Sequence, residues 1–186
     1  MSARCFASLL VLSACAGQPV LPDFGEVPAF SLVDQTGAGL GRDQLLGSVW
    51  VANFIFTSCG SVCPRLSATM ADVVRVWAHE PGLRFVSFTV DPETDTPEVL
   101  LRYSQGLGAD PARWSFLTGP PAEVRTVVVG GMKQLMERLP PGSPDSVMHG
   151  ERFVLVGKQG TIRAFPDPKE PDLASLHDGI RSLLAE

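Results

Sequence analysis

The segment that most constrains this chain is a buried-strand pattern that breaks directly into two cysteines. Val49 to Phe56 reads VWVANFIF, and Thr57-Ser58-Cys59-Gly60-Ser61-Val62-Cys63-Pro64 follows at once. A near-continuous apolar run of that length fits a strand covered on both faces of a sheet. Beyond the cysteines, Leu66, Met70, Val73, Val74 and Trp77 recur at helical spacing. That spacing predicts a helix from Pro64 to about His79, with Pro64 in the first turn, where its missing N–H is not needed. Cys59 therefore sits in a loop of small residues at a strand end, and Cys63 at a helix start.

A strand buried on both faces needs covering layers, and the rest of the chain supplies them. Ala29 to Val33 is extended and leads into turn residues Gly37, Gly39 and Gly41. Leu83 to Val90 (LRFVSFTV) is a second apolar strand. Pro97 to Leu107 is a helix opened by Thr96 or by the Asp95/Glu98 pair. Ser115 to Leu117 is a short strand and Pro121 to Val129 a helix, while Gly, Pro and Ser make residues 130–147 a long loop. Arg152 to Val156 and Thr161 to Phe165 form a hairpin across Gly157-Lys158-Gln159-Gly160, and Leu173 to Leu184 is an amphipathic helix. The fold class is α/β, a sandwich of helices on a mixed β-sheet ending in a hairpin plus helix, without internal repeat or second domain. With 45% hydrophobic and 19% charged residues, a disordered chain is excluded. The net charge of −5, with fifteen unclustered basic residues, speaks against nucleic acid. No apolar run reaches the roughly 18–20 residues of a membrane-spanning helix.

The first residues read as an address. Met1-Ser2-Ala3-Arg4, an apolar stretch through Leu12 and the small residues Ser13-Ala14 make residues 1–14 a secretory signal peptide. Leu12-Ser13-Ala14-Cys15 resembles a bacterial lipobox, in which Cys15 is lipidated and becomes the new N-terminus. Residues 15–25 then read as a tether, and residues 26–186 as the domain. The expectation is a lipid-anchored monomer in the bacterial cell envelope, facing the periplasm or extracytoplasmic side. Ala16 stands where inner-membrane retention would call for aspartate. Of four cysteines, Cys5 leaves with the signal and Cys15 takes lipid. Cys59 and Cys63 alone remain, and one close pair in an exported domain reads as a site rather than a framework.

Thiolates attack disulfides and also bind metals, and a helix N-terminus favours the thiolate form. Three residues separate the cysteines, one more than in thioredoxin-type motifs. Helical rise over four residues is about 6 Å, in the upper part of the usual Cα separation for a disulfide. A metal tolerates wider sulfur separation, so the spacing suits chelation and still permits a redox disulfide. Among the histidines, His79 ends the cysteine helix about four turns away and reads as a dipole partner, and His177 reads as solvated. His149 precedes a sheet strand after the long loop, from where it can approach the cysteines.

Three pieces in this order, Thr57–Pro64 with its C-x3-C-P, Thr89–Glu98 (TVDPETDTPE) and Met148-His149 ahead of a strand, resemble the SCO/SenC family over about residues 25–185. The resemblance implies a thioredoxin-like fold whose active loop binds copper, Cu(I) or Cu(II). By position it implies Cys59, Cys63 and His149 as metal ligands, with Cys59 and Cys63 a redox-active dithiol. It also implies a role in assembling the copper centre of cytochrome c oxidase, with its copper-centre subunit as partner, as copper donor, thiol reductant, or both. Two thiolates suit soft Cu(I), and imidazole suits either copper state. Asp91 and Asp95 read as turn and capping residues, Met148 as a core methionine at a strand edge, Met132 and Met136 as packing. Trp50 and Trp114 read as core, and Phe56 as a shield beside the loop.

Two further function classes remain open. A thiol–disulfide oxidoreductase needs only the dithiol, with His149 dispensable. A peroxidase is disfavoured, since Gly60 and Phe56 stand where peroxiredoxin-type cysteines have Thr or Ser. A copper or redox sensor would use the same pair as a switch.

Overall fold

The computed structural model describes residues 21–60, 63–140, 143 and 147–186. The signal segment, the lipobox, Cys15 and the start of the tether lie outside them. Chain order is β1 (Ser31–Val33), β2 (Gly39–Gly41), β3 (Val49–Ile55), α1 (Cys63–Val76), β4 (Leu83–Thr89) and α2 (Pro97–Gly106). Then come β5 (Trp114–Leu117), α3 (Pro121–Arg125), β6 (Met136–Arg138), β7 (Val147–His149), β8 (Val154–Val156), β9 (Ile162–Ala164) and α4 (Ala174–Ala185).

The central sheet has the order β5-β4-β3-β8-β9. β3, β4 and β5 are parallel, and β8 and β9 add antiparallel. β3 is the middle strand and all seven of its residues are buried, which is why it reads as an unbroken apolar run. Successive crossovers from β3 to β4 to β5 step in one direction, so right-handedness puts α1 and α2 on one face. Ser67 of α1 and Tyr103 of α2 share a 2.8 Å hydrogen bond there, and Trp77, just past α1, donates to His177 of α4 at 2.9 Å. On the opposite face Phe88 packs against Trp50, Phe54 and Phe30, the last of which leads into β1. The result is a thioredoxin-like α/β sandwich.

Three local features differ from the sequence reading. The helix begun at Pro121 stops at Arg125 and widens into π-type turns over Thr126–Gly131, where Met132 N–H reaches back to the Val127 carbonyl at 2.8 Å. Gly131 permits this packing, because a Cβ there would lie 2.4 Å from Pro28 Cδ. The expected loop 130–147 holds β6, which pairs antiparallel with β7 as Met136↔His149, Glu137↔Met148 and Arg138↔Val147. Three-residue strands bounded by Gly and Pro leave too short a pattern to read. Finally, residues 21–25 of the tether already lie on the domain. Arg163 donates to the carbonyls of Leu21 and Pro22, and Phe24 packs edge-on against Phe165. Among the described residues, no helix is long and apolar enough to cross a membrane.

Candidate metal centre

The site forms where β3 delivers its C-terminal end. Phe56 continues the strand into the core at 1% exposure, and Thr57 turns the chain. Asp95 holds that turn, accepting from Thr57 N–H at 3.2 Å, Thr57 Oγ1 at 2.5 Å and Thr89 Oγ1 at 2.5 Å. A tight turn follows, with Cys59 N–H donating to the Phe56 carbonyl at 3.3 Å. Cys63 then opens α1, one residue before Pro64, and its N–H donates to Cys59 Sγ at 3.3 Å. The first N–H groups of a helix have no partner within it. One of them is spent on a sulfur, which suits that sulfur as an anion. Both cysteines are buried thiols.

His149 arrives from the other side, on β7. Its Nε2 lies 3.2 Å from Cys63 Sγ, and its Nδ1 lies 2.8 Å from the Gly150 carbonyl. A carbonyl can only accept, so Nδ1 carries a proton, and Nε2 is the ring nitrogen turned to the sulfur. Histidines that ligate metals usually donate the other ring N–H in this way. The Phe56 ring stands edge-on to the imidazole, centroids 5.7 Å apart at 89°. The structure thus brings Cys59, Cys63 and His149 together across eighty-six residues of chain between Cys63 and His149.

Among the described residues, no three Cys, His, Asp or Glu side chains are arranged to hold a metal ion as they stand. Cys63 Sγ and His149 Nε2 are in direct contact, with no space for an ion between them. Bonds of about 2.3 Å to sulfur and about 2.0 Å to nitrogen, at tetrahedral to trigonal angles, set the two atoms about 3.5–3.7 Å apart. The observed 3.2 Å is short of that by a few tenths of an ångström, so a small withdrawal of the ring makes room. Two sulfurs and an imidazole form a donor set that fits copper.

Behind the sulfurs lies a buried polar layer. Tyr103 donates to or accepts from Ser67, one turn after Cys63, and its phenol is raised above the ordinary range. Burial is the main cause, opposed by Ser67 and reinforced by the charges of Cys63, Cys59 and Asp95. Burial likewise raises the Asp95 carboxyl, against the hydrogen bonds from Thr57 and Thr89.

Several expected roles change. Asp95 does not cap α2; Thr96 does, accepting from Val99 N–H. Asp91 makes the expected turn, its carbonyl accepting from Thr94 and Asp95 N–H, and its side chain, 2% exposed, also pairs with Arg138 of β6 at 3.1 Å. Met148 is 48% exposed, not core, because His149 points inward and strand neighbours alternate. Met132 is fully buried and Met136 partly so, as packing requires. The cation meeting the C-terminal end of α1 is Arg113, which donates to the carbonyls of Trp77, Ala78 and Glu80, in place of His79. His177 is half-buried rather than fully solvated: it stacks on Trp77 and accepts its indole N–H. Sequence reasoning missed Arg138, Gly150 and Tyr103; none of them stands in a motif, and only the long-range pairing exposes them.

Comparison with known proteins gives one family. The SCO1/SenC family model matches residues 22–185. The SCO1 protein homolog of Bacillus subtilis (strain 168) is 34% identical over 156 residues, 82% of this chain and 80% of that protein. The structure of Bradyrhizobium japonicum ScoI with copper bound superposes with a TM-score of 0.74 at 25% identity, covering 86% of this chain and 100% of that one. BsSco, described as a member of the Sco family of cytochrome c oxidase assembly proteins with a disulfide switch, superposes with a TM-score of 0.77 at 29% identity, covering 89% and 98%.

Proposed function

The chain belongs to the SCO1/SenC family, and on that premise we propose that it binds copper through Cys59, Cys63 and His149 in the assembly of cytochrome c oxidase. Its task there is to deliver copper to the oxidase copper centre, to reduce the thiols of that centre, or both. The observation that carries this reading is the Cys63–His149 contact, with Nε2 turned to the sulfur and Nδ1 occupied by the Gly150 carbonyl. Copper-bound ScoI and the oxidase-assembly description of BsSco support it by similarity. Copper is cargo in this account. Two thiolates hold Cu(I), and the imidazole adds the harder donor that Cu(II) prefers. As reductant, Cys59 and Cys63 would form one disulfide and pass two electrons and two protons to the target's disulfide, leaving it as two thiols. The lipobox-like Leu12-Ser13-Ala14-Cys15 supports a lipid anchor at Cys15 in the bacterial envelope, with the domain on the extracytoplasmic side.

Titration of reduced, anaerobic protein with Cu(I) and with Cu(II) tests the ligand set. One equivalent of each should bind. His149→Ala should lose more Cu(II) affinity than the about 10–100-fold typical of an outer partner, with the fold retained. Undiminished Cu(II) affinity in that variant removes His149 from the set. Incubation with a disulfide-containing copper-centre domain then separates roles: Cu transfer marks the donor, and thiol release without copper marks the reductant.

A further inference from the structure

We infer that the loop Asp91–Thr96 sets the distance between the two halves of the site, gripping the cysteine turn through Asp95 and the histidine ribbon through an Asp91–Arg138 latch. This rests on the copper-site reading above and names positioning residues for it. The cysteine half is held by Asp95, fully buried on Thr57 two residues before Cys59. The loop is folded tightly on itself: Thr94 and Asp95 N–H both donate to the Asp91 carbonyl, and Asp91 N–H donates to Thr89 Oγ1 at 3.0 Å. Asp91 and Asp95 therefore move as one piece.

On the histidine half, Arg138 Nη2 reaches Asp91 Oδ1 at 3.1 Å and Glu93 Oε2 at 2.6 Å. Arg138 pairs with Val147, two residues before His149. A second arginine, Arg125, donates to the carbonyl of Met136, the direct strand partner of His149, at 2.7 Å. A two-stranded ribbon of three-residue strands is marginal by itself, so its attachments decide where His149 lies. The Arg138 side chain is 57% exposed and Asp91 only 3%. An exposed ion pair alone contributes little, whereas a buried carboxylate that loses its cation is left uncompensated. Arg138 is thus a positioning residue, acting through the ribbon and touching neither sulfur nor imidazole.

The test uses the full chain with Arg138→Gln, Arg138→Lys, Asp91→Asn and the Asp91→Asn/Arg138→Gln double variant. Arg138→Gln should lower Cu(II) affinity about tenfold and leave Cu(I) affinity in place, since the dithiol half is untouched. Arg138→Lys should recover part of the loss, and the double variant should be no worse than the worse single one. Without metal, amide exchange of residues 136–138 and 147–149 should quicken in Arg138→Gln while that of residues 57–60 stays slow. Equal losses of Cu(I) and Cu(II), additive losses in the double variant, or unchanged ribbon exchange would each overturn the latch. If the unmodified chain binds no copper through His149, the functional proposal fails, and the metal-free exchange still decides the latch.

Discussion

Replacing Gly150 by alanine is the sharpest way to ask whether the histidine is held where its chemistry needs it. An alanine Cβ at 150 would stand 2.2 Å from Gln134 Oε1, 3.1 Å from its Cδ and 3.3 Å from its Cβ. Gln134 cannot yield cheaply. It is 6% exposed, its Nε2 donates to the Met132 carbonyl at 3.1 Å, and its backbone N–H is tied to the Val128 carbonyl at 3.0 Å. If Gln134 swings out, one buried hydrogen bond is lost and the Met132 carbonyl is left to find another donor, about 1–2 kcal/mol together. Forcing the extra methyl in without that swing costs about 1–3 kcal/mol in displaced packing. The smaller entropy of unfolded alanine offsets about 0.4–1 kcal/mol. The net loss centres on about 1 kcal/mol, or about 2–4 °C in Tm for a domain of this size.

The second consequence falls on the imidazole. Gly150 supplies the carbonyl that fixes the Nδ1 proton, and its N–H is bonded to the Leu135 carbonyl at 3.1 Å. Moving this residue loosens the ring and its tautomer, which should weaken Cu(II) binding about 10–100-fold. Differential scanning calorimetry and anaerobic Cu(II) competition measure the two effects on one sample. Gln134→Ala added to Gly150→Ala removes the colliding atoms, so the double variant should regain copper affinity and be less destabilised than the sum of the singles. A Gly150→Ala protein with unaltered Tm and Cu(II) affinity, or a double variant that recovers nothing, refutes the steric account.

Two pH dependences follow from buried groups. Burial, reinforced by Arg181 and opposed by Asp178, lowers His177 below its ordinary value of 6.5, so the folded chain takes up its proton less readily than the unfolded one. Its contribution is present above that value and is lost as pH falls through the lowered one; thermal melts should decline on the acid side of pH 6.5, less steeply in His177→Gln, whose side-chain oxygen can still accept from Trp77. Asp95 has the opposite sign: its carboxyl is raised above 3.8 by burial, so its contribution is complete below that value and is lost as pH rises through the raised one. The Tm of the unmodified chain relative to Asp95→Asn should therefore improve as pH is lowered towards 4, and a constant difference would contradict the burial argument.

The elements that could be read from sequence are those whose pattern is longer than their exceptions. β3, β4, α1, α2 and the β8–β9 hairpin carry runs or periodicities that tertiary packing only confirms, as in the seven buried residues of β3. What was not legible is the ribbon. β6 and β7 are three residues each, set among Gly and Pro, and their pairing is long-range. Missing β7 also misplaced Met148, because knowing that His149 points inward fixes its neighbour outward. Arg138 and Gly150 carry no motif, and their roles exist only once the ribbon is docked. His149 was singled out by its place before a strand and by family resemblance. No property of an isolated histidine in sequence sets its ring nitrogen against a particular sulfur.

The two halves of the site differ in how they are built, and that difference bears on what the proposed copper site could do. Cys59 and Cys63 belong to the β3–α1 junction, with Phe56 and Asp95 buried beneath them and Thr57 half-buried on Asp95. Opening that half means disturbing the central strand of the sheet. His149 belongs to a short ribbon held by one ion-pair cluster, one arginine–carbonyl bond, its own pairing and the packing of Val147 and Met136. Local opening draws on the least stable attachments first. The histidine should therefore leave the sulfurs well before the sulfurs leave the fold. A dithiolate that persists when the imidazole withdraws still suits Cu(I), whereas Cu(II) loses its nitrogen donor. In such a chain reduction of the ion and release of the histidine favour each other, and the exposed coordination position this creates is where an incoming ligand from a target could attack.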